Sequence, residues 1–193
     1  MVQKVAIITD SVACLTRELV AQYGIGILPI NFYLDGRTYK DWVDITPSEA
    51  YELFLKDPES FKTAAISPDD CLETYRQASR QARDIFCITL STKLSAVYNV
   101  ARQTKELLET ELPEVKIEVF DSGTVTAAEG FVVLAAARAA QQGKSLAEVI
   151  RAAEAMRERV GMLILLDTIR HVFRSGRVPK VAALAGSMLN IRP

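Results

Sequence analysis

An α/β fold, built on a mainly parallel sheet with helices on both faces and followed by the start of a second α/β domain, is predicted by three observations. Short β-rich runs alternate with helical patterns along the chain, the signature of strand–helix–strand crossovers. The runs at residues 5–9 and 85–89 are continuously apolar up to a closing threonine, as strands buried on both faces must be. Hydrophobic residues make up 49% of the 193, enough for a sizeable core.

The elements follow in order. Residues 5–9 form the first strand and end in Asp10-Ser11, and residues 16–23 are helical until Gly24 stops them. Residues 25–34 are extended and contain Pro29, which suits a sheet edge or a strand start. Thr46-Pro47-Ser48-Glu49 places an N-cap, a proline at the first helical position and an acid at the third, predicting a helix over 47–55. Residues 61–67 read as a loop, and Ser67-Pro68-Asp69-Asp70 opens a helix to about residue 82. Beyond it come a strand at 85–89, a helix at 94–108, a strand at 115–120, an Ala-rich helix at 126–142 closed by Gly143, and a helix from Ser145 to about 159. Residues 161–166 predict a last strand, 168–173 a short helix, and 181–189 another helix. The change of rhythm at Gly161 divides the chain into an N-terminal domain, 1–159, and the beginning of a second, 160–193. Asn190-Ile191-Arg192-Pro193 follows an apolar segment without a polar tail, which predicts a chain that continues.

Charge and composition remove several classes of function. The 23 basic residues are dispersed among 24 acids, for a net charge of −1, so no broad positive field invites nucleic acid. The apolar runs fall short of the ~20 residues that span a bilayer. No secretory leader pattern opens the chain, and Cys14, Cys71 and Cys87 are widely spaced without a C-x-x-C pair, which predicts reduced thiols in the cytoplasm. One His and three scattered Cys make no metal-ligand set.

In open parallel sheets, ligands sit outside the carboxyl ends of the strands. Asp10-Ser11, Ser91-Thr92-Lys93-Leu94-Ser95 and Asp121-Ser122-Gly123-Thr124 all follow strands, with Thr63 and Ser67 ahead of another helix. Hydroxyls and helix N-terminal amides converging there would hold an anion, and the absence of a Lys-bearing Gly-rich loop favours a small carboxylate over a nucleotide triphosphate. Each of these residues is equally the type that caps its own helix. Two other readings stay open. Asp10 at a strand end could serve as the nucleophile of a phosphatase or hydrolase, although position 12 is Val where a second acid is usual, Gly186-Ser187 lacks the second glycine of a nucleophile elbow, and His171 is the sole imidazole. Arg170, Arg174 and Arg177 around Ser175-Gly176 could instead dock a protein partner or a phosphate.

Thr9-Asp10-Ser11, Leu28-Pro29-Ile30, Gly36 to Tyr39 with Asp41, Lys62-Thr63, Leu90-Ser91 with Leu94-Ser95, Asp121-Ser122, Ser175-Gly176-Arg177 and Asn190-Ile191-Arg192-Pro193 together resemble the DegV family in order and spacing. The resemblance implies a two-domain α/β fold that binds a long-chain, palmitate-like fatty acid in an apolar tunnel between the domains. It further implies a carrier without chemistry of its own, similar to the acyl-carrier subunit of bacterial fatty acid kinase, presenting the carboxylate to a separate kinase; transient membrane contact is a further expectation. Thr63 and Ser95 match the family's carboxylate-binding residues, with the Ala96 amide assisting. Asp10, Ser11, Ser122 and Arg177 stand as secondary candidates, Arg177 for kinase docking or charge balance. The family's T-S-Q-P reads Thr63-Ala64-Ala65-Ile66 here, and its S-S-G-L-S-G-T reads Ser91-Thr92-Lys93-Leu94-Ser95-Ala96-Val97. These departures bear on head-group and chain-length preference. A head-group His that the resemblance places further along the family's chain has no counterpart up to Pro193.

Overall fold

The structure, a computed structural model, describes residues 4–166, 168 and 170–177. Its centre is a parallel sheet of four strands in the order β2-β1-β6-β7, formed by Gly26–Leu28, Val5–Asp10, Asp84–Thr89 and Lys116–Asp121 respectively. The central strands are the continuously apolar ones: Val5, Ile7, Ile8, Ile85, Cys87 and Ile88 are all fully buried, because helices cover both faces of the sheet. One face packs on α5 (Thr126–Gln141) and α6 (Leu146–Arg157), the other on α3 (Pro68–Ser79) and α4 (Val97–Glu111). Helix α1 (Arg17–Tyr23), capped by Thr16, flanks α5. The predicted α/β class, a parallel sheet with helices on both faces, is the one observed.

The two helical faces are pinned differently. On the α5 face Gly130 lets the helix lie against the 3-10 turn Ser11–Ala13, where a Cβ would collide with the Ala13 carbonyl oxygen. On the opposite face the buried Tyr75 hydroxyl donates to the Ala101 carbonyl at 3.1 Å, tying α3 to α4. Tyr75→Phe removes that bond without opening a cavity and is expected to cost about 1 kcal/mol, read as a shift in the urea midpoint at unchanged slope.

A second sheet was not predicted. β3 (Asn31–Leu34) pairs antiparallel with both β4 (Arg37–Lys40) and β5 (Lys62–Ala64), with α2 (Pro47–Lys56) in the connection. Two expectations are corrected by it. Residues 25–34 are not one extended element but two strands in different sheets, divided at Pro29-Ile30, where the chain leaves the parallel sheet after its edge strand β2. Residues 61–67 are not wholly loop, since β5 lies within them. The sheets are joined where Ser11 Oγ accepts the Ile30 amide at 3.2 Å, and the Lys40–Asp70 ion pair at 2.7 Å binds β4 to α3.

The strand expected at 161–166 is absent: these residues have no regular structure, and Leu163 and Leu165 are 102% and 84% exposed. A strand needs a partner for its backbone groups, and no described strand pairs with this run. Helix α4 begins at Val97 rather than at residue 94, and α7 spans Arg170–Arg174. The helix expected at 181–189 and the motif at 190–193 lie outside the described residues.

Candidate functional site

The carboxyl ends of β1, β6 and β7 gather the loops predicted to matter. After β6 the chain turns at Ser91, whose carbonyl accepts the amides of Leu94 at 2.9 Å and Ser95 at 3.2 Å, and whose Oγ accepts the Lys93 amide. Helix α4 then starts with Ala96 as its N-cap and no side-chain cap. Among the described residues the Ala96 amide donates to no backbone carbonyl, so this helix start keeps unspent donors at its positive end. Ser95 is partly exposed beside it and Lys93 is exposed.

Thr63 reaches the region from the second sheet. It is exposed in the middle of β5, opposite Phe32, and lines a cavity of about 390 Å³ with Phe54, Phe61, His171, Arg174 and Arg177 among its walls. Aromatic contacts lead into this cavity: Phe61 stacks on Phe32 with centroids 4.9 Å apart and meets Phe54 edge-on at 5.5 Å, and Phe54 meets His171 edge-on at 5.2 Å. Arg170 and Arg174 both pair with Glu59, which offsets their charge. Arg177 has no acidic partner among the described residues. Its Nε donates to the Leu94 carbonyl at 3.2 Å and its Nη1 to the Ser175 carbonyl at 2.7 Å. One guanidinium therefore lines the Thr63 cavity and touches the residue preceding Ser95.

The other candidates sit deeper. Asp10 is fully buried, accepting the Leu90 amide at 2.8 Å and the Val12 amide at 3.1 Å. Burial pushes its carboxyl up to about 6, although those amides and Glu129 pull it back. Ser11 is the joint to Ile30 described above. The buried Ser122 hydroxyl donates to the Thr124 carbonyl and accepts the Thr124 amide, closing its own loop. Asp121 accepts from Thr92 and Gly123, linking the β7 and β6 loops.

Two residues escaped the sequence reading. Arg157 stacks on the Phe120 ring, 4.6 Å from its centroid, and donates to the Asp121 carbonyl. Glu129 on α5 is fully buried and accepts Thr9 Oγ1 at 3.3 Å. Its signal was available: three and four residues before the buried Val132 and Val133, an acid at 129 falls on the apolar face of the helix.

A family model for uncharacterised proteins of the DegV family matches residues 4–193. The chain belongs to the DegV family. It is 33% identical to a DegV domain-containing protein of Clostridium perfringens over 98% of this chain and 66% of the relative, and 30% identical to one of Caldanaerobacter subterraneus over 99% of this chain and 66% of that relative. The chain thus spans 66% of the length of these curated relatives. Among solved structures it resembles a fatty-acid-binding DegV family protein from Thermus thermophilus, with TM-score 0.80, 28% identity, and coverage of 97% of this chain and 65% of the other. It also resembles a stearic-acid-binding protein from Eubacterium ventriosum, with TM-score 0.81, 26% identity, and coverage of 96% and 63%. No helix among the described residues of this DegV protein is long and apolar enough to cross a membrane, and no group of His, Cys, Asp and Glu among them could hold a metal.

Proposed function

We propose that this DegV protein binds a long-chain fatty acid, palmitate-like in length, with its carboxylate between Thr63 and Ser95, assisted by the Ala96 amide and by Arg177. The observation that carries the reading is the placement of Arg177, whose guanidinium, without an acidic partner among the described residues, joins the Thr63 cavity to the turn before Ser95. A carboxylate between those points meets a cation, hydroxyls and unspent helix amides, the donors that desolvating it requires. The fatty-acid ligands of the T. thermophilus and E. ventriosum neighbours support the same class. Burying about fourteen methylenes at ~0.8 kcal/mol each supplies on the order of 10 kcal/mol before the costs of association, so a head group with few donors suffices.

In this reading the protein is a cytoplasmic carrier that performs no chemistry and offers the carboxylate to a separate kinase for acyl phosphate formation. Full burial of Asp10, with backbone amides on both its oxygens, supports binding over an aspartate nucleophile. A domain boundary near residue 159 belongs to the same proposal, supported by the end of α6 at Arg157 and the exposure of residues 161–165.

Lipid extraction from the purified protein followed by mass spectrometry should return a long-chain fatty acid. The Thr63→Ala, Ser95→Ala double variant should bind palmitate roughly ten- to a hundredfold more weakly, corresponding to about 1.4–2.7 kcal/mol of lost hydrogen bonding to a charged group. Unchanged affinity would remove both residues from the site.

A further inference from the structure

Beneath the turn that holds Ser95 lies a carboxyl pair that the binding reading leaves without a role. Asp10 ends β1 and Glu129 rises from α5, both fully buried. Glu129 Oε1 accepts from Thr9, whereas Oε2 has no hydrogen-bond partner if the group is a carboxylate. The remaining titratable groups facing the pair are Cys87 on β6, Cys14 beyond the 3-10 turn and Asp121 at the end of β7, all neutral or anionic. No Lys or Arg is bonded to either carboxyl among the described residues. A proton is then the available counter-charge, since two adjacent carboxyls cannot both ionise in a dry site.

Placed on Glu129, that proton turns its carboxyl into a donor for Asp10, the side chain it faces. Burial, then the Asp10 charge, push Glu129 up to about 10. Asp10 keeps its charge and spends it on the Leu90 amide. Leu90 directly precedes Ser91, whose carbonyl holds Leu94 and Ser95 in their turn.

We infer that Asp10 and Glu129 are a one-proton positioning pair for residues 90–96, so that loss of the shared proton loosens this turn and weakens ligand binding at Ser95. The ligand half of the inference rests on the proposed fatty-acid site; the pair and its turn do not.

The direction with pH is fixed by linkage. Between the ordinary Glu value of 4.5 and about 10, unfolded Glu129 has lost its proton and folded Glu129 retains it. The stabilisation is complete below 4.5 and is lost as pH rises towards 10, the folding constant falling by up to tenfold per pH unit. In Glu129→Gln the amide donates to Asp10 without a titrating proton, and above the Asp10 value of about 6 the dependence vanishes.

The test follows the full chain from pH 7 to 10 by NMR, above the Asp10 value and up to that of Glu129, with carboxyl carbon shifts reporting Asp10 and Glu129 and amide shifts reporting residues 90–96, alongside palmitate affinity. The expected wild-type result is a neutral Glu129 at pH 7, with turn signals and palmitate affinity steady near neutral pH and both drifting as pH approaches 10; Glu129→Gln should hold both constant. Turn signals that follow pH in a protein that never binds palmitate would keep the pair and discard the fatty-acid reading. A Glu129 already ionised at pH 7 in the wild type overturns the inference, whether or not the variant folds. So does a turn with the same pH response in wild type and Glu129→Gln.

Discussion

Asp10→Ala is expected to destabilise the protein by about 3–5 kcal/mol, the lower part of what three orphaned buried donors cost together. Three groups lose their acceptor at once. The Leu90 amide, bonded at 2.8 Å in a buried setting, and the Val12 amide at 3.1 Å are left without a carboxylate. The protonated Glu129 faces the vacated position with a buried hydroxyl that has nowhere to donate. Each orphaned group costs about 1–3 kcal/mol, and water cannot rescue them cheaply, because Thr9, Asp10 and Glu129 are all fully buried. Asp10→Asn separates charge from shape: its carbonyl can still serve one of the two amides, so it should lose distinctly less than the alanine variant. Urea titrations of the three proteins at pH 7 provide the comparison, and equal losses for Asn and Ala would mean that volume rather than hydrogen bonding holds the site.

Gly130→Ala is expected to cost about 3 kcal/mol, at the upper end for an overpacked core position. The backbone conformation at Gly130 is ordinary, so the cost arises from space alone. A Cβ there would meet the Ala13 carbonyl oxygen well inside contact distance and press on Leu15 Cδ2 at 3.3 Å. The first obstacle is backbone and cannot rotate away. Relief requires α5 to lift from the turn Ser11–Ala13, yet α5 also buries Val132, Val133, Ala136 and Ala137 against the sheet. The same displacement would carry Glu129 away from Asp10. The variant should therefore show a lower denaturation midpoint together with altered amide signals at residues 90–96, far along the chain from the substitution. An unfolding free energy within about 0.5 kcal/mol of wild type would show that α5 and the turn are not in tight contact.

The legible parts of the fold were those set by local pattern. Strands β1 and β6 announce themselves as unbroken apolar runs because both their faces are covered, and Thr16, Thr46 and Ser67 mark helix starts because a side-chain oxygen there satisfies amides that the helix cannot. The second sheet was hidden for the opposite reason. Its strands are three or four residues long, and Asn31 pairs with Ala64 across more than thirty residues of chain, so no local period records the partnership. Residues 161–166 failed in reverse. Their apolar run looks like a strand, but β structure depends on a neighbour, and none among the described residues is offered.

For the site, residue types and order alone determined that hydroxyls and helix starts cluster at strand ends and that the chain resembles the DegV family. Tertiary structure decided what each of them touches. Ser11, Ser122 and Asp10 spend their hydrogen bonds inside the protein, whereas Thr63 and Arg177 meet in one cavity and Arg177 reaches the Leu94 carbonyl beside Ser95. Sequence specifies chemistry residue by residue. Whether a polar group faces a ligand or a backbone amide is decided by which distant segments fold against it, as Glu129, 119 positions after Asp10 in the chain, shows by sharing its burial.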